Sequence, residues 1–300
     1  MSKTNSRGWL LSYLVLCLIW GSSFFLTHEA IKAFSPIGMS FWRCALGALA
    51  LLPILLLTKT KFGMTFKNII VISVGGLFMN AVPWMLYGYA QQHVTTVLAS
   101  IINGATPIMT LLALLTLFRS EKTKIEVIIG LLIGAVGLMI ALAVWQGFGE
   151  NDPLSVLALI GAITCYGIGG PYIRRFVTPL GLPMTSSVIV QLGSAALVML
   201  PFYLAGGPLL IGELTWPIVG SIAALGALGS GLSYVLYYRV IAEAGSAIAN
   251  SVTYVLPLVA VLLGVIALGE PLYWYEPVGA LVVILGAAIS QGYFNKKSAA

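Results

Sequence analysis

The 300 residues are enough for one or two soluble domains, but 59% are hydrophobic and 8% charged, against roughly 25% charged in soluble domains. The net charge of +6 comes from Lys and Arg dispersed in ones, twos and threes beside apolar runs. That placement reads as membrane orientation and excludes a nucleic-acid-binding surface.

The N-terminus carries Lys3 and Arg7 before an apolar run, with Gly21, Ser22 and Ser23 further on, which resembles a signal peptide. The run continues through Phe24, Phe25 and Leu26, so it is long enough to span and is read as the first helix. A spanning helix needs about 20 mostly apolar residues. Ten stretches fit: Trp9–Thr27, Ile37–Leu57, Ile69–Tyr89, Val94–Phe118, Val127–Trp145, Leu154–Phe176, Thr185–Leu204, Ile218–Ile241, Ala247–Leu268 and Pro277–Phe294. Turn-forming residues mark the breaks, as at Lys59, Lys61 and Gly63, at Glu150-Asn151-Asp152-Pro153, and at Gly206-Gly207-Pro208. Cys17, Cys44 and Cys165 all fall inside apolar runs. Odd in number and without metal-ligand spacing, they read as packing residues.

With the N-terminus placed in the cytoplasm, the even loops and the two tails hold Lys3, Arg7, Lys59, Lys61, Lys67, Arg119, Lys122, Lys124, Arg174, Arg175, Arg239, Lys296 and Lys297. The odd loops hold only Lys32. This asymmetry predicts ten spans with both termini inside, because one span more or less would scramble every later loop.

Thr96, Ser100, Asn103 and Pro107, followed by Glu121, Gly130 and Gly137, recur in kind about 150 residues later as Ser246, Asn250, Thr253 and Pro257, followed by Glu270, Gly279 and Gly286. Both copies place small polar groups on one helix face before a proline. Asn80, Trp84 and Tyr87 align at the same shift with Ser230, Tyr234 and Tyr237, and Trp20-Gly21 aligns loosely with Tyr166-Gly167. Five spans is an odd number, so the second half enters the membrane upside down. Such internal symmetry is the mark of a transporter with its site where the halves meet.

These residues resemble the EamA-type transporters of the drug/metabolite transporter superfamily. The resemblance rests on Ile19-Trp20-Gly21-Ser22-Ser23-Phe24, on Phe41-Trp42-Arg43 followed by Ala45 and Gly47, on Pro107 with Glu121, and on Pro257 with Gly269-Glu270-Pro271. In pattern it covers nearly the whole chain. It implies two inverted five-helix halves, a central cavity lined mainly by helices one, three, four, six, eight and nine, and export of small metabolites.

The candidate cavity residues fall into two groups. Asn103, Thr106, Thr110, Asn250 and Thr253 are costly against lipid and must face protein or water. Interhelical hydrogen bonding is the alternative role, but the recurrence of the stripe beside Pro107 and Pro257, which free backbone carbonyls, favours a cavity lining and makes the prolines candidate hinges. Trp20, Phe24, Trp84, Tyr87, Tyr166, Tyr234, Tyr237 and Tyr254, with Asn80 beside them, fall in helix interiors or along the polar stripes. They form a candidate amphipathic wall for an organic substrate, with packing as the alternative for each member. Trp9, Trp145, Trp216, Tyr273, Trp274 and Tyr275 instead suit the membrane interface.

Arg43 is the only basic residue well inside a span, where a charge costs about 3 kcal/mol or more. Its candidate partners are carbonyls at a helix end, Glu29 or a substrate carboxylate, and the structural role is preferred because the resemblance does not place its helix on the cavity. Glu121 and Glu270 lie where one helix ends and the next begins; they either cap the fifth and tenth helices or latch gates, with capping the simpler account. The Gly130, Gly134, Gly137 series suits close contact with a neighbouring helix or a second copy, so a homodimer is an expectation.

Neither His28 nor His93 has catalytic spacing, and no phosphate-binding Gly-rich loop occurs, so no cofactor and no enzyme activity are expected. The expectation is therefore an all-α integral membrane protein of ten transmembrane helices, two inverted five-helix repeats (residues 1–148 and 149–300) around a central cavity. The expected function is that of a multi-pass inner-membrane secondary transporter, moving neutral or zwitterionic metabolites such as amino acids by alternating access, in the direction of export. The competing classes are a scaffolding subunit, which has no need of inward polar stripes, and a lipid-modifying protein, which needs clustered acid, His or Ser groups at one interface.

Overall fold

In a computed structural model, residues 8–58, 63–118, 125–146, 152–244 and 252–290 are described. Within them every regular element is helical. The described helices run as ten rods: α1 (Gly8–Ala30), α2 (Pro36–Leu57), α3 (Phe66–Ala90), α4 (Thr96–Phe118), α5 (Ile125–Ala141), α6 (Pro153–Leu180), α7 (Met184–Ala205), α8 (216–244), α9 (Val252–Leu268) and α10 (Tyr275–Ser290). Seven of them (α1 to α4 and α6 to α8) are long and apolar enough to cross a membrane, while α5, α9 and α10 are shorter apolar helices. Leu11, Leu57, Leu132, Leu197 and Ile266 are among many large apolar side chains exposed on the outer surface, as a lipid-facing bundle requires.

Helix starts follow local chemistry. Ser35 Oγ accepts the Gly38 N–H at 3.2 Å at the head of α2, and Thr65 and Thr95 do the same for α3 and α4. Asp152 caps α6 by accepting both the backbone N–H and the hydroxyl of Ser155, at 2.8 and 2.7 Å. These bonds hold its carboxyl below the usual carboxylate range.

The packing repeats at a step of five helices. α1 packs on α9 as α6 packs on α4; α1 on α8 as α6 on α3; α2 on α8 as α7 on α3. The α2–α7, α4–α9 and α5–α10 contacts map onto themselves. The correspondence extends to single residues. A Cβ on Gly21 would lie 2.4 Å from Val259 Cβ, and one on Gly167 would lie 2.6 Å from the Met109 backbone. Likewise a Cβ on Gly76 would meet the Gln191 carbonyl at 2.5 Å, and one on Gly226 would meet Leu46 Cβ at 2.4 Å. Small residues let helix backbones meet where no hydrophobic force acts between helices. The α5 glycines pack on α10, with Gly134 and Gly137 against Gly286 and Gly279. α10 is thus the neighbouring helix on this glycine face of α5.

Directly after Gly76 and Gly226, α3 and α8 each loosen into a π-turn, at Leu77–Ala81 and Ala227–Leu232. A π-turn inserts a residue into the helical ladder and frees backbone carbonyls. Both sets are claimed from neighbouring elements or turns: Ser40 Oγ on α2 donates to Ala81 O at 2.8 Å, and Trp20 Nε1 on α1 donates to Gly229 O at 3.2 Å.

If Gly167 sets the α4–α6 contact, Gly167→Ala lowers the melting temperature of the detergent-purified protein, at a cost of about 1–3 kcal/mol from overpacking. Gly220→Ala, with nothing within 4 Å of the new methyl, is neutral or stabilising through its better helix propensity. Equal melting of the two variants contradicts the assignment.

Candidate functional site

The two π-turns carry Asn80 and Ser230 into the middle of the bundle, both fully buried. Asn80 Nδ2 donates to the Tyr234 hydroxyl at 3.1 Å, and its Oδ1 accepts from Gln191 Nε2 at 2.6 Å. A single amide thereby ties α3 to α7 and α8. Trp20 lies against Tyr237 and Tyr234, with ring centroids 5.5 and 6.4 Å apart. These three rings remain half-buried, which sets them apart from core aromatics. Ser230, Tyr234 and Tyr237 are spaced for one face of α8.

On the other side, the Tyr87 hydroxyl donates to Asn103 Oδ1 at 2.9 Å, and its ring stacks on Tyr166 at 6.3 Å and meets Phe24 edge-on at 5.7 Å. Phe24, Trp84, Tyr87 and Asn103 are buried, while Thr106 and Tyr166 are half-buried. Tyr166 packs with both Trp84 and Tyr87, so the two groups of residues are continuous.

The prolines behave differently. α4 is broken: a helical segment ends at Asn103, Gly104 and Ala105 turn, and a second begins at Thr106 with Pro107 in its first turn. The proline ring excludes the bond to Asn103 O four residues back, and Thr106 Oγ1 takes that carbonyl at 2.7 Å. Thr110 Oγ1 donates to Thr106 O at 3.0 Å, so this stripe partly serves its own backbone. Pro257 lies within the continuous helix α9, facing the break in α4 at Gly104. Thr253 on α9 is half-buried. Asn250 and Glu121 lie outside the described residues, as does the Tyr254 side chain.

Two sequence expectations are corrected. Arg43 does not reach Glu29, which pairs with Lys32. Its Nε donates to Ser230 Oγ at 3.2 Å, its guanidinium lies 4.0 Å over the Trp84 ring, and it is 7% exposed. Although α2 was set aside as a lining helix, it delivers this charge among the candidate lining residues. Glu270 does not cap α10. α9 ends at Gly269 in the left-handed region (φ 66°), and the Glu270 N–H returns to Gly264 O at 3.0 Å, which turns the carboxylate onto the start of α4. There it accepts from Thr96 N at 2.7 Å and Val97 N at 3.0 Å. At the start of α10 Glu276 turns back instead and accepts the N–H of Tyr273, ahead of the helix, at 2.8 Å.

Sequence reasoning missed Gln191 and Gln91. Gln91, buried at the end of α3, donates to Phe24 O at 3.0 Å and Thr96 Oγ1 at 3.2 Å. Each amide inside or bordering an apolar span was a signal, since a buried amide needs partners. Among the described residues no group of three or more His, Cys, Asp or Glu is placed to hold a metal ion. Trp145 stacks on Trp274 at 6.1 Å and meets Tyr275 edge-on at 5.9 Å, in an aromatic cluster at one end of the bundle.

A model of the EamA-like transporter family matches this chain twice, over residues 7–143 and 153–291. The chain is 26% identical to the uncharacterized transporter YyaM of Bacillus subtilis, over 91% of this chain and 90% of that protein. It is 28% identical to the uncharacterized inner membrane transporter YedA of Escherichia coli K12, over 91% and 87% respectively. A solved crystal structure superposes with a TM-score of 0.66 at 17% identity, covering 94% of this chain and 97% of the other, a likeness of fold.

Glu270→Gln leaves the two α4 N–H groups with a neutral acceptor, and Glu270→Ala leaves them with none. The alanine variant is expected to lose about 1–2 kcal/mol of stability and the glutamine variant less, read as melting temperature in detergent. No change for the alanine variant contradicts the cap.

Proposed function

Because this chain belongs to the EamA-like transporter family, part of the drug/metabolite transporter superfamily, and is a multi-pass membrane transporter, we propose a finer reading. It is a secondary transporter of small neutral or zwitterionic metabolites, amino acids foremost, working by alternating access and serving export. Ten spans in two inverted five-helix repeats, residues 1–148 and 149–300, enclose its site, and both termini are cytoplasmic.

The observation that carries this reading is the pair of π-turns about 150 residues apart, each behind a glycine contact. Irregular backbone at membrane depth is tolerated only where protein or a cavity satisfies it. Here it presents Asn80 and Ser230 from equivalent places in the two halves. The double family match and the paired helix contacts support the repeat. Inversion is supported by the loop contacts. Ile211 N donates to Ala33 O at 2.9 Å, so the α7–α8 and α1–α2 connections share one end of the bundle. Insertion of both repeats in the same direction separates those connections.

The half-buried wall of Trp20, Tyr166, Tyr234, Tyr237 and Thr106, joined by the buried amides of Asn80 and Asn103, is aromatic and neutral polar. It suits a substrate with apolar surface and a few hydrogen-bonding groups. Asn250, Thr253 and Tyr254 extend the same lining on the α9 side in this reading. Glu270, which joins the end of α9 to the start of α4 across the two halves, is an outer latch.

In reconstituted vesicles, uptake from a radiolabelled panel of amino acids, amines, nucleosides and sugar phosphates is expected to favour amino acids. Trp20→Ala and Tyr237→Ala are expected to lower it about tenfold each, the loss of ~1.4 kcal/mol of stacking. Preference for sugar phosphates, or unchanged uptake in both variants, contradicts the reading.

A further inference from the structure

Arg43 carries a charge that no carboxylate among the described residues pairs with. Among the described residues the ion pairs are Lys32 with Glu29 and Arg239 with Glu243, each local to one helix or its end. The other carboxylates whose side chains are described sit at helix ends, as Asp152, Glu270 and Glu276 do, or in a connection, as Glu213 does. Among the described residues no carboxylate accompanies Arg43 into the interior, where the residue is 7% exposed.

What Arg43 has instead is a platform. Trp84 lies beneath one face, 4.0 Å from the guanidinium carbon, and Ser230 Oγ takes Nε at 3.2 Å while itself donating to Leu225 O at 3.1 Å. A guanidinium has five N–H donors in a rigid fork. Nε is the one with a hydrogen bond among the described residues, which leaves the Nη edge. The phenols of Tyr166 and Tyr234 pack against the cluster that holds Trp84, and both are half-buried. From Ser230, the face of α8 continues one turn to Tyr234 and a second to Tyr237 against Trp20.

A cation held this way, with an aromatic floor, one tether and no fixed counter-ion, is organised to receive an anion rather than to brace two helices. A neutral side chain braces as well without the cost of burying charge. We propose that the Nη edge of Arg43 binds the carboxylate of the transported molecule, in the two-pronged geometry that suits guanidinium and carboxylate. The rest of that molecule lies along the Trp20, Tyr234 and Tyr237 rings, whose faces also accept an ammonium group. This assignment rests on the central site of the transporter reading and narrows its neutral or zwitterionic substrates to zwitterions with one carboxylate, amino acids foremost, for which the simple acids below serve as probes of the carboxylate contact.

The test pairs acids with their amides: leucine with leucinamide, phenylalanine with phenylalaninamide, and phenylacetate with phenylacetamide. Ligand-induced thermal stabilisation of the full-length protein and uptake into vesicles are measured for wild type, Arg43→Gln and Arg43→Lys. The wild type is expected to prefer at least one acid over its amide by about tenfold or more, ~1.4 kcal/mol. Arg43→Gln brings that ratio toward one by losing the acid and not the amide, and Arg43→Lys keeps part of it. An equal loss of acid and amide in Arg43→Gln, an unchanged ratio, or wild-type binding of none of the acids overturns the assignment. If Arg43→Gln does not fold, a wild-type ratio near one overturns it alone. Uptake of amines or nucleosides unaffected by Arg43→Lys overturns the carboxylate site and leaves the transporter reading standing. Acid-selective binding without movement of any probe does the reverse.

Discussion

Inside a bilayer a backbone carbonyl released from its helix finds no water, so the chain itself must supply the donor. Of the helix interruptions among the described residues, three meet that requirement with side chains: Ser40 for Ala81 O, Trp20 for Gly229 O, and Thr106 for Asn103 O. Each interruption therefore draws polar groups into the interior of the bundle. The candidate site follows from how the helix irregularities are satisfied. Asn80 and Ser230 are central because the π-turns are, and the π-turns follow the glycines that bring α3 onto α7 and α8 onto α2.

The same contacts explain why the halves correspond. Exchange of one five-helix set for the other turns the α1–α9 contact into α6–α4 and the α2–α8 contact into α7–α3. At the first of these, Gly21 meets Val259 and Gly167 meets Met109. Arg43 breaks the correspondence. A charge contributed from one side and answered by Ser230 on α8 gives an approximately symmetric centre a direction, which the proposed binding of a molecule with distinct ends uses.

Much of this was legible in sequence where several residues share a period. The apolar runs, the Asn103–Thr106–Thr110 stripe, and the alignment of Asn80, Trp84 and Tyr87 with Ser230, Tyr234 and Tyr237 all rest on helical spacing. What stayed hidden has no local signature. Glu270 precedes α10 in the chain, so sequence assigned it there; the left-handed turn at Gly269 sends it to Thr96, 174 residues away. Gln191 is the lone amide of an apolar helix, which marks it as needing a partner but not which one: Asn80 is 111 positions distant. Pro107 and Pro257 look alike in sequence, yet a helix break precedes the first at Gly104 and Ala105 while the second sits in an unbroken rod. For Arg43, the burial cost was legible, but the aromatic floor that Trp84 supplies was not.

The central claim is a wet site between the halves, reached in turn from each side. Its most direct measurement is thiol labelling with a membrane-impermeant reagent, in protein whose native Cys17, Cys44 and Cys165 are replaced and which carries Thr106→Cys or Tyr237→Cys. The account predicts labelling of both positions from either face of oriented vesicles, with a transported substrate slowing it. Thiols inert from both faces, or labelled at a rate no substrate alters, would contradict it.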